Sequence, residues 1–233
     1  RIKKLIRYSN PIENEKTLFI WPEGVFSGYS FNEVYTFKDL VSKNFSKEHT
    51  LIFGTNQLDP KSGNFYNSLL VVDNDFKIIQ SYNKRKLVPF GEFLPFESFL
   101  NNLGFKKITE GHGSFLRGNK NKNLLIDKIN FLPLICYEVI FTDLIQKSKP
   151  ETNLIINISE DGWFGKSIGP EQHFTHSIFR AIESGKYVLR STNNGKTAII
   201  NPLGVVEKQV DYNKSGYIDL KETRKTKSTL FAK

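Results

Sequence analysis

The chain has 233 residues, the size of one large α/β domain, and needs no second domain to bury a core. Its 33 Lys+Arg against 24 Asp+Glu give a net charge of +9, but the basic residues are scattered. That argues against a nucleic-acid partner and leaves a modest pull toward anionic surfaces such as phospholipid headgroups. One cysteine excludes an internal disulfide framework, no apolar run reaches the ~18 residues of a membrane span, no secretory signal is legible, and the lack of methionine marks an excised segment or a mature product.

In chain order, Arg1 to Ser9 has Ile2, Leu5 and Ile6 at helical spacing and reads as an amphipathic helix cut at its start. Thr17 to Trp21 (TLFIW) is a buried strand stopped by Pro22. A helix over Phe31 to Phe45 turns Val34, Phe37, Leu40 and Val41 inward, and a strand follows at Thr50 to Thr55. This order predicts an α/β fold with helices layered over sheets. FYNSLLVV from Phe65 and FKIIQSY from Phe76 are two strands, and the Asp73-Asn74-Asp75 spacer signals a hairpin.

Lys84 to Phe96 holds two prolines and a glycine and reads as an irregular surface loop, yet it carries Leu87, Val88, Phe90, Phe93, Leu94 and Phe96. So apolar a loop covers a site or meets a partner. Leu132, Leu134 and Ile135 form a buried strand, and Glu138 to Gln146 a helix, which puts Cys136 at a sharp strand-to-helix turn. There the positive end of the helix favours thiolate over thiol; the alternative is a small buried thiol packed like an apolar residue. Asn153 to Ser159 is a further strand. Pro170 opens a helix that buries Phe174, Ile178, Ala181 and Ile182 and ends at Gly185. Strands at Tyr187 to Ser191, Lys196 to Ile200 and Val205 to Val210 complete the pattern, with turns at Asn193-Asn194-Gly195 and Pro202-Leu203-Gly204. A basic tail from Lys221 lacks ordering contacts of its own.

Glu23 and Lys84 share with Cys136 the position immediately after a strand. Brought together, the carboxylate can take the thiol proton, the thiolate can attack a carbonyl, and the ammonium can sit by the developing oxyanion. Each also has a plain reading, Glu23 as a solvated strand end and Lys84 as a surface lysine.

The words around these residues are Trp21-Pro22-Glu23, Tyr82-Asn83-Lys84, Leu87-Val88-Pro89-Phe90-Gly91-Glu92 and Ile135-Cys136-Tyr137-Glu138. Asp161-Gly162-Trp163-Phe164-Gly165, Gly169-Pro170-Glu171-Gln172-His173 and Arg190-Ser191-Thr192-Asn193-Asn194-Gly195 follow in order. With these the chain resembles, over nearly its whole length, the nitrilase superfamily and within it the bacterial apolipoprotein N-acyltransferases. The resemblance implies an αββα sandwich of two β-sheets flanked by helices, here lacking its first strand, with residues 1–220 as catalytic domain and 221–233 as a basic tail leading toward a missing membrane helix. It implies Glu23 as general base, Lys84 as oxyanion stabiliser and Cys136 as nucleophile. Glu92 and Glu138 would be supporting carboxylates, Tyr137 an oxyanion donor through its backbone N–H, and Trp163 and Phe164 the border of the acyl entrance.

The activity implied is transfer of an acyl chain from a phospholipid, through a thioester, to the α-amino group of a diacylglyceryl apolipoprotein. It needs no cofactor and no metal, and belongs on the periplasmic face of the bacterial inner membrane, reached through segments outside this chain. A thioester survives only if water is kept away, a task suited to the apolar Leu87 to Phe96 loop. Two residues depart from the pattern: Glu160 stands where relatives often have Asn, and Lys86 where they often have His. A soluble carbon-nitrogen hydrolase using the same three residues is the alternative, and an inactive remnant or membrane-surface scaffold is a second. Of the histidines, His49, His112, His173 and His176 form no ligand set; His173 reads as structural, and His112 is the candidate for a protease-like pairing with Cys136.

Overall fold

The computed structural model describes residues 1–96, 114–119, 123–146, 151–223 and 229–231. Among the described residues ten strands form two sheets. The first has the order β1-β2-β3-β4, from β1 (Thr17–Ile20), β2 (His49–Leu58), β3 (Phe65–Val72) and β4 (Ile78–Asn83). The second comprises β5 (Leu124–Ile126), β6 (Ile129–Ile135), β7 (Leu154–Glu160), β8 (Tyr187–Asn193), β9 (Thr197–Ile200) and β10 (Val206–Val210), in the order β10-β9-β8-β7-β6-β5. β6, β7 and β8 are parallel, as are β1 and β2, while the remaining pairs are antiparallel.

The long apolar runs follow from burial on both faces of each sheet. Successive strand residues point to opposite sides, so Ile52, Leu69 and Val71 enter the core between the sheets, while Leu51, Phe53, Leu70 and Val72 enter an outer core. Helix α1 (Ile2–Ser9) covers that outer core with Ile2 and Ile6 and ends at Asn10 in the left-handed conformation (φ 43°). On the other side the long helix Gly169–Ser184 packs Phe174 and Ala181 against Leu132, Ile155 and Val188. The result is the αββα sandwich implied by the resemblance.

The structure differs from the sequence-based expectations at several points. The helix over Phe31 to Phe45 is broken into Phe31–Val34, a 3-10 turn Tyr35–Phe37, and Lys38–Ser42, which turns Phe37 outward while Val34 and Val41 stay buried. The helix over Glu138 to Gln146 is a 3-10 turn, Cys136–Ile140, then Thr142–Gln146, because Phe141 is extended (φ −92°, ψ 112°). Ile182 is exposed, since the buried face of its helix carries His173, Ser177, Arg180 and Ser184 beside Phe174 and Ala181. The strand over FKIIQSY begins at Ile78, because Phe76 takes a left-handed turn conformation (φ 59°) and stacks on Phe53. The hairpin of β5 and β6 was not anticipated: its turn at Asp127-Lys128 has no glycine, and Asp127 itself supplies the positive φ (52°). His112 and part of the basic tail lie outside the described residues.

Candidate active site

Three strand ends converge where the two sheets meet. Glu23 opens a 3-10 turn directly after β1 and Pro22, Lys84 follows β4, and Cys136 follows β6. Gly54 on β2 permits this approach, because a Cβ there would lie 2.6 Å from the Glu23 Cα. The backbone N–H of Glu160, at the end of β7, donates to Glu23 Oε2 at 3.0 Å, and Ser191 Oγ on β8 donates to the carbonyl of Ile20 at 2.9 Å. These two bonds tie one sheet's carboxyl ends to the other's.

Lys84 is almost fully buried, with its ammonium 2.8 Å from Glu92 Oε1 and 3.5 Å from Glu23 Oε1. Asn67, on β3, donates to both of those oxygens at 2.8 Å and bridges the two carboxylates. Burial opposes the charge on Lys84, but Glu23, Glu92 and the neighbouring Cys136 outweigh it, so its pKa is raised and the ammonium is the resting form. Burial likewise pushes Glu92 up, and Lys84 more than reverses that, helped by the Val88 N–H at 2.9 Å; Glu92 is held below the ordinary carboxylate range.

Cys136 is buried and adopts φ 49°, a left-handed conformation that costs an L-residue about 1–2 kcal/mol and sets the side chain off the strand's line. The expected preference for thiolate is not found. Burial first, and then the Glu23 carboxylate, push the thiol up to about 12, against the smaller lowering influences of Lys84 and the Ser159 hydroxyl. A single five-residue 3-10 turn offers too weak a positive end to offset two nearby carboxylates. The Cys136 side chain therefore rests as a thiol, and for its sulfur to act as a nucleophile the proton would have to be taken up by a neighbour.

Glu138 is fully buried away from Lys84's hydrogen bonds. It accepts from Tyr82 Oη (2.8 Å), Arg85 N (2.7 Å), Lys86 N (3.2 Å) and Ile135 N (2.8 Å), so it pins the chain after Lys84 to the turn that carries Cys136. Burial raises its pKa against those bonds. Tyr137 is half-buried, its ring edge-on to Phe141 at 5.0 Å. Trp163 is 67% exposed and Phe164 packs against His173 at 5.4 Å, so these two occupy the loop after β7.

Of the two departures noted in the sequence, Lys86 points away from the centre, to Asp143 (3.1 Å) and the Phe141 ring. The Glu160 carboxylate is held by Gly162 N–H and Asn193 and lies over Gly24, where any Cβ would strike it. Burial raises its pKa, and Glu23 adds to the effect.

Sequence reasoning missed Asn67, Ser159 and the paired roles of Asp161 and Arg190. Asn67, with Ser68, interrupts a strand that is apolar from Leu69 to Val72, and a buried amide there needs partners, which was the available signal. Arg190 and Asp161 form a fully buried ion pair at 2.8 Å, in which His173, Arg190 and Ser159 hold Asp161 at about 2 against its burial. His49 binds Ser46 N and Ile12 O and belongs to the outer layer.

Residues 2–227 match the model of the family described as carbon-nitrogen hydrolase. The chain belongs to the carbon-nitrogen hydrolase family. Among curated members it is 36% identical over 209 residues to "Apolipoprotein N-acyltransferase" of Rhodopseudomonas palustris, covering 87% of this chain and 39% of that protein. It is 34% identical to the protein of the same name from Bradyrhizobium diazoefficiens, covering 94% of this chain and 42% of that one. For the Wigglesworthia glossinidia brevipalpis protein of that name the figures are 37%, 90% and 42%. The chain therefore spans about two fifths of the length of these relatives.

Among solved structures it is similar to Nit3 of Saccharomyces cerevisiae (TM-score 0.63, 18% identity, 92% of this chain and 78% of that one). It is equally similar in fold to XC1258 of Xanthomonas campestris, a carbon-nitrogen hydrolase superfamily protein (TM-score 0.63, 16% identity, 92% and 82%). At such identities these two likenesses concern the fold.

Proposed function

We propose that this chain is the catalytic domain of an apolipoprotein N-acyltransferase, with Cys136 as nucleophile, Glu23 as general base and Lys84 as oxyanion stabiliser. The observation that carries the reading is the ammonium of Lys84 lodged between Glu23 and Glu92 beside a buried, protonated thiol. The curated relatives' names support the acceptor class, an apolipoprotein amine, and the phospholipid donor is part of the proposal.

In the first half-reaction Glu23 accepts the Sγ proton as sulfur attacks the ester carbonyl of a phospholipid. Lys84 faces the oxyanion, and collapse expels the lysophospholipid alkoxide, which takes the proton back from Glu23. In the second, the α-amino group of a diacylglyceryl-cysteine attacks the thioester, Glu23 takes the amine proton, and sulfur departs and is reprotonated. A separate thiolate would stand next to two carboxylates, so proton transfer and attack are concerted.

The choice of acyl transfer over amide hydrolysis rests on the loops that leave the site. Phe90 and Phe96 are 50% and 84% exposed on the loop that carries Glu92, and Trp163 stands on the loop after Glu160. Exposed aromatic side chains suit an acyl chain and a lipid surface, and exclusion of water protects the thioester. In this reading residues 1–220 are the catalytic domain, and it works at the periplasmic face of the inner membrane. No helix among the described residues is long and apolar enough to cross a membrane.

The test uses the full-length protein in phosphatidylethanolamine and phosphatidylglycerol vesicles with a diacylglyceryl peptide. The expected result is a mass increase of one acyl chain on Cys136, discharged by the peptide with appearance of its N-acyl product. Turnover of small amides with no acyl loading would favour the soluble hydrolase, and no adduct under either condition would favour an inactive remnant.

A further inference from the structure

Beneath the Cys136 turn lies a buried polar chain that the scheme above leaves unused. His173, on the long helix, faces the backbone carbonyl oxygen of Cys136 with Nε2 at 3.1 Å. Its Nδ1 faces Asp161 Oδ1 at 3.0 Å and Arg190 Nη2 at 3.1 Å. Arg190 in turn holds Asp161 through Nη2 at 2.8 and 3.0 Å and reaches Asn157 and Ser177, and Asn157 donates to the carbonyl of Leu134, two residues before the nucleophile. All these side chains are buried. Because a carbonyl oxygen only accepts, Nε2 carries a proton and donates it, whichever partner Nδ1 takes.

The peptide that joins Cys136 to Tyr137 is trans, so its C=O and N–H point in opposite directions. A donor fixed on the Cys136 oxygen therefore fixes where the Tyr137 N–H points. Without it, that peptide is free to turn about the ψ of Cys136 and the φ of Tyr137, the two soft dihedrals that flank it, and the N–H swings off its line. We infer that His173 is a positioning residue whose hydrogen bond to the Cys136 carbonyl aims the Tyr137 N–H at the oxyanion, with Asp161 and Arg190 holding the imidazole in place. The inference rests on the acyl-transfer reading, in which Tyr137 N–H and Lys84 share the oxyanion. The hydrogen-bond chain does not touch the sulfur.

The test compares two reactions of Cys136 in the full-length protein in phospholipid vesicles: acyl loading, which passes through an oxyanion, and alkylation by iodoacetamide, which does not. In His173→Asn the amide reaches only the position of Nδ1 and leaves the Cys136 carbonyl without its side-chain donor. Acyl loading is expected to slow by ~10²–10³ in its maximal rate, with little change in the phospholipid concentration for half-maximal rate, while alkylation stays within a few-fold of the parent. In His173→Gln the amide nitrogen reaches the position of Nε2, and loading is expected to recover to within about tenfold. Unchanged loading in His173→Asn overturns the inference, as does a parallel fall in alkylation, which signals displacement of the cysteine itself. If His173→Asn does not fold, the same comparison is read from His173→Gln and Ser177→Ala, and loading in His173→Gln as low as in an unfolded control overturns the inference. Failure of the unmodified protein to load at all, with alkylation intact, would count against the acyl-transfer reading and is distinguishable from these outcomes.

Discussion

Replacing Lys84 by methionine removes the cation that neutralises Glu23 and Glu92 while keeping the volume of the aliphatic stem. Coulomb's law at an effective dielectric constant of about 20 gives roughly 6 kcal/mol for the 2.8 Å pair and roughly 5 kcal/mol for the 3.5 Å pair. The desolvation cost of the buried ammonium offsets much of this, and loss of one partner from a buried pair typically costs about 3–5 kcal/mol. For a chain of this size that is a fall in melting temperature of about 6–20 °C. The loss depends on pH with a definite sign. In the parent, Glu92 has a lowered folded pKa, so its contribution is present above the ordinary carboxylate value of 4.5 and is lost as pH falls through the folded value. In Lys84→Met burial is left dominant, the folded pKa lies above the unfolded one, and the ionised carboxylate destabilises at neutral pH until acid neutralises it. Urea denaturation of both proteins from about pH 4 to pH 8 measures this: the gap is expected to be widest near neutrality and to close toward acid. A gap that is the same at every pH, or that widens in acid, would refute the account of the Glu-Lys-Glu cluster.

Other substitutions separate the roles of neighbouring groups. Glu23→Gln is expected to abolish acyl loading by removing the base, yet to speed iodoacetamide alkylation near pH 8, because Glu23 is one of the influences that push the Cys136 thiol up to about 12; a parallel fall in both rates would contradict the assigned direction. Cys136→Ala should lose all loading and retain the cooperative unfolding of the parent, as measured by urea titration. Gly54→Ala places a Cβ 2.6 Å from the Glu23 Cα and is expected to cost about 1–3 kcal/mol in urea unfolding and to reduce loading, and an Ala variant with normal loading would show that the Glu23 turn tolerates displacement. Glu138→Gln turns an acceptor of four hydrogen bonds into a group with a competing donor, and the expected loss of about 1–3 kcal/mol is read in the same way.

Local pattern determined much of this protein. Strand-length apolar runs bounded by Pro22, Asp73 and Gly185 marked most of the elements, since a strand buried on both faces has to be continuously apolar. The residues placed immediately after three of those runs, Glu23, Lys84 and Cys136, were legible because a strand end is where a sheet presents side chains to a cleft. What pattern could not determine is what depends on partners distant in the chain. The breaks at Tyr35 and Phe141, the outward Phe37 and Ile182, and the turn at Asp127 answer to packing and backbone strain that no local window contains. The thiol's protonation was misjudged for the same reason. A turn viewed by itself suggests a thiolate, whereas Glu23, 113 positions earlier (136 − 23), and burial between two sheets reverse the sign. The buried ion pair of Asp161 and Arg190, and the contact of His173 with the Cys136 carbonyl, likewise exist only once parallel strands and the long helix are stacked. Charge and hydrogen bonding act through space at a few ångströms, and only the tertiary structure decides which groups lie that close.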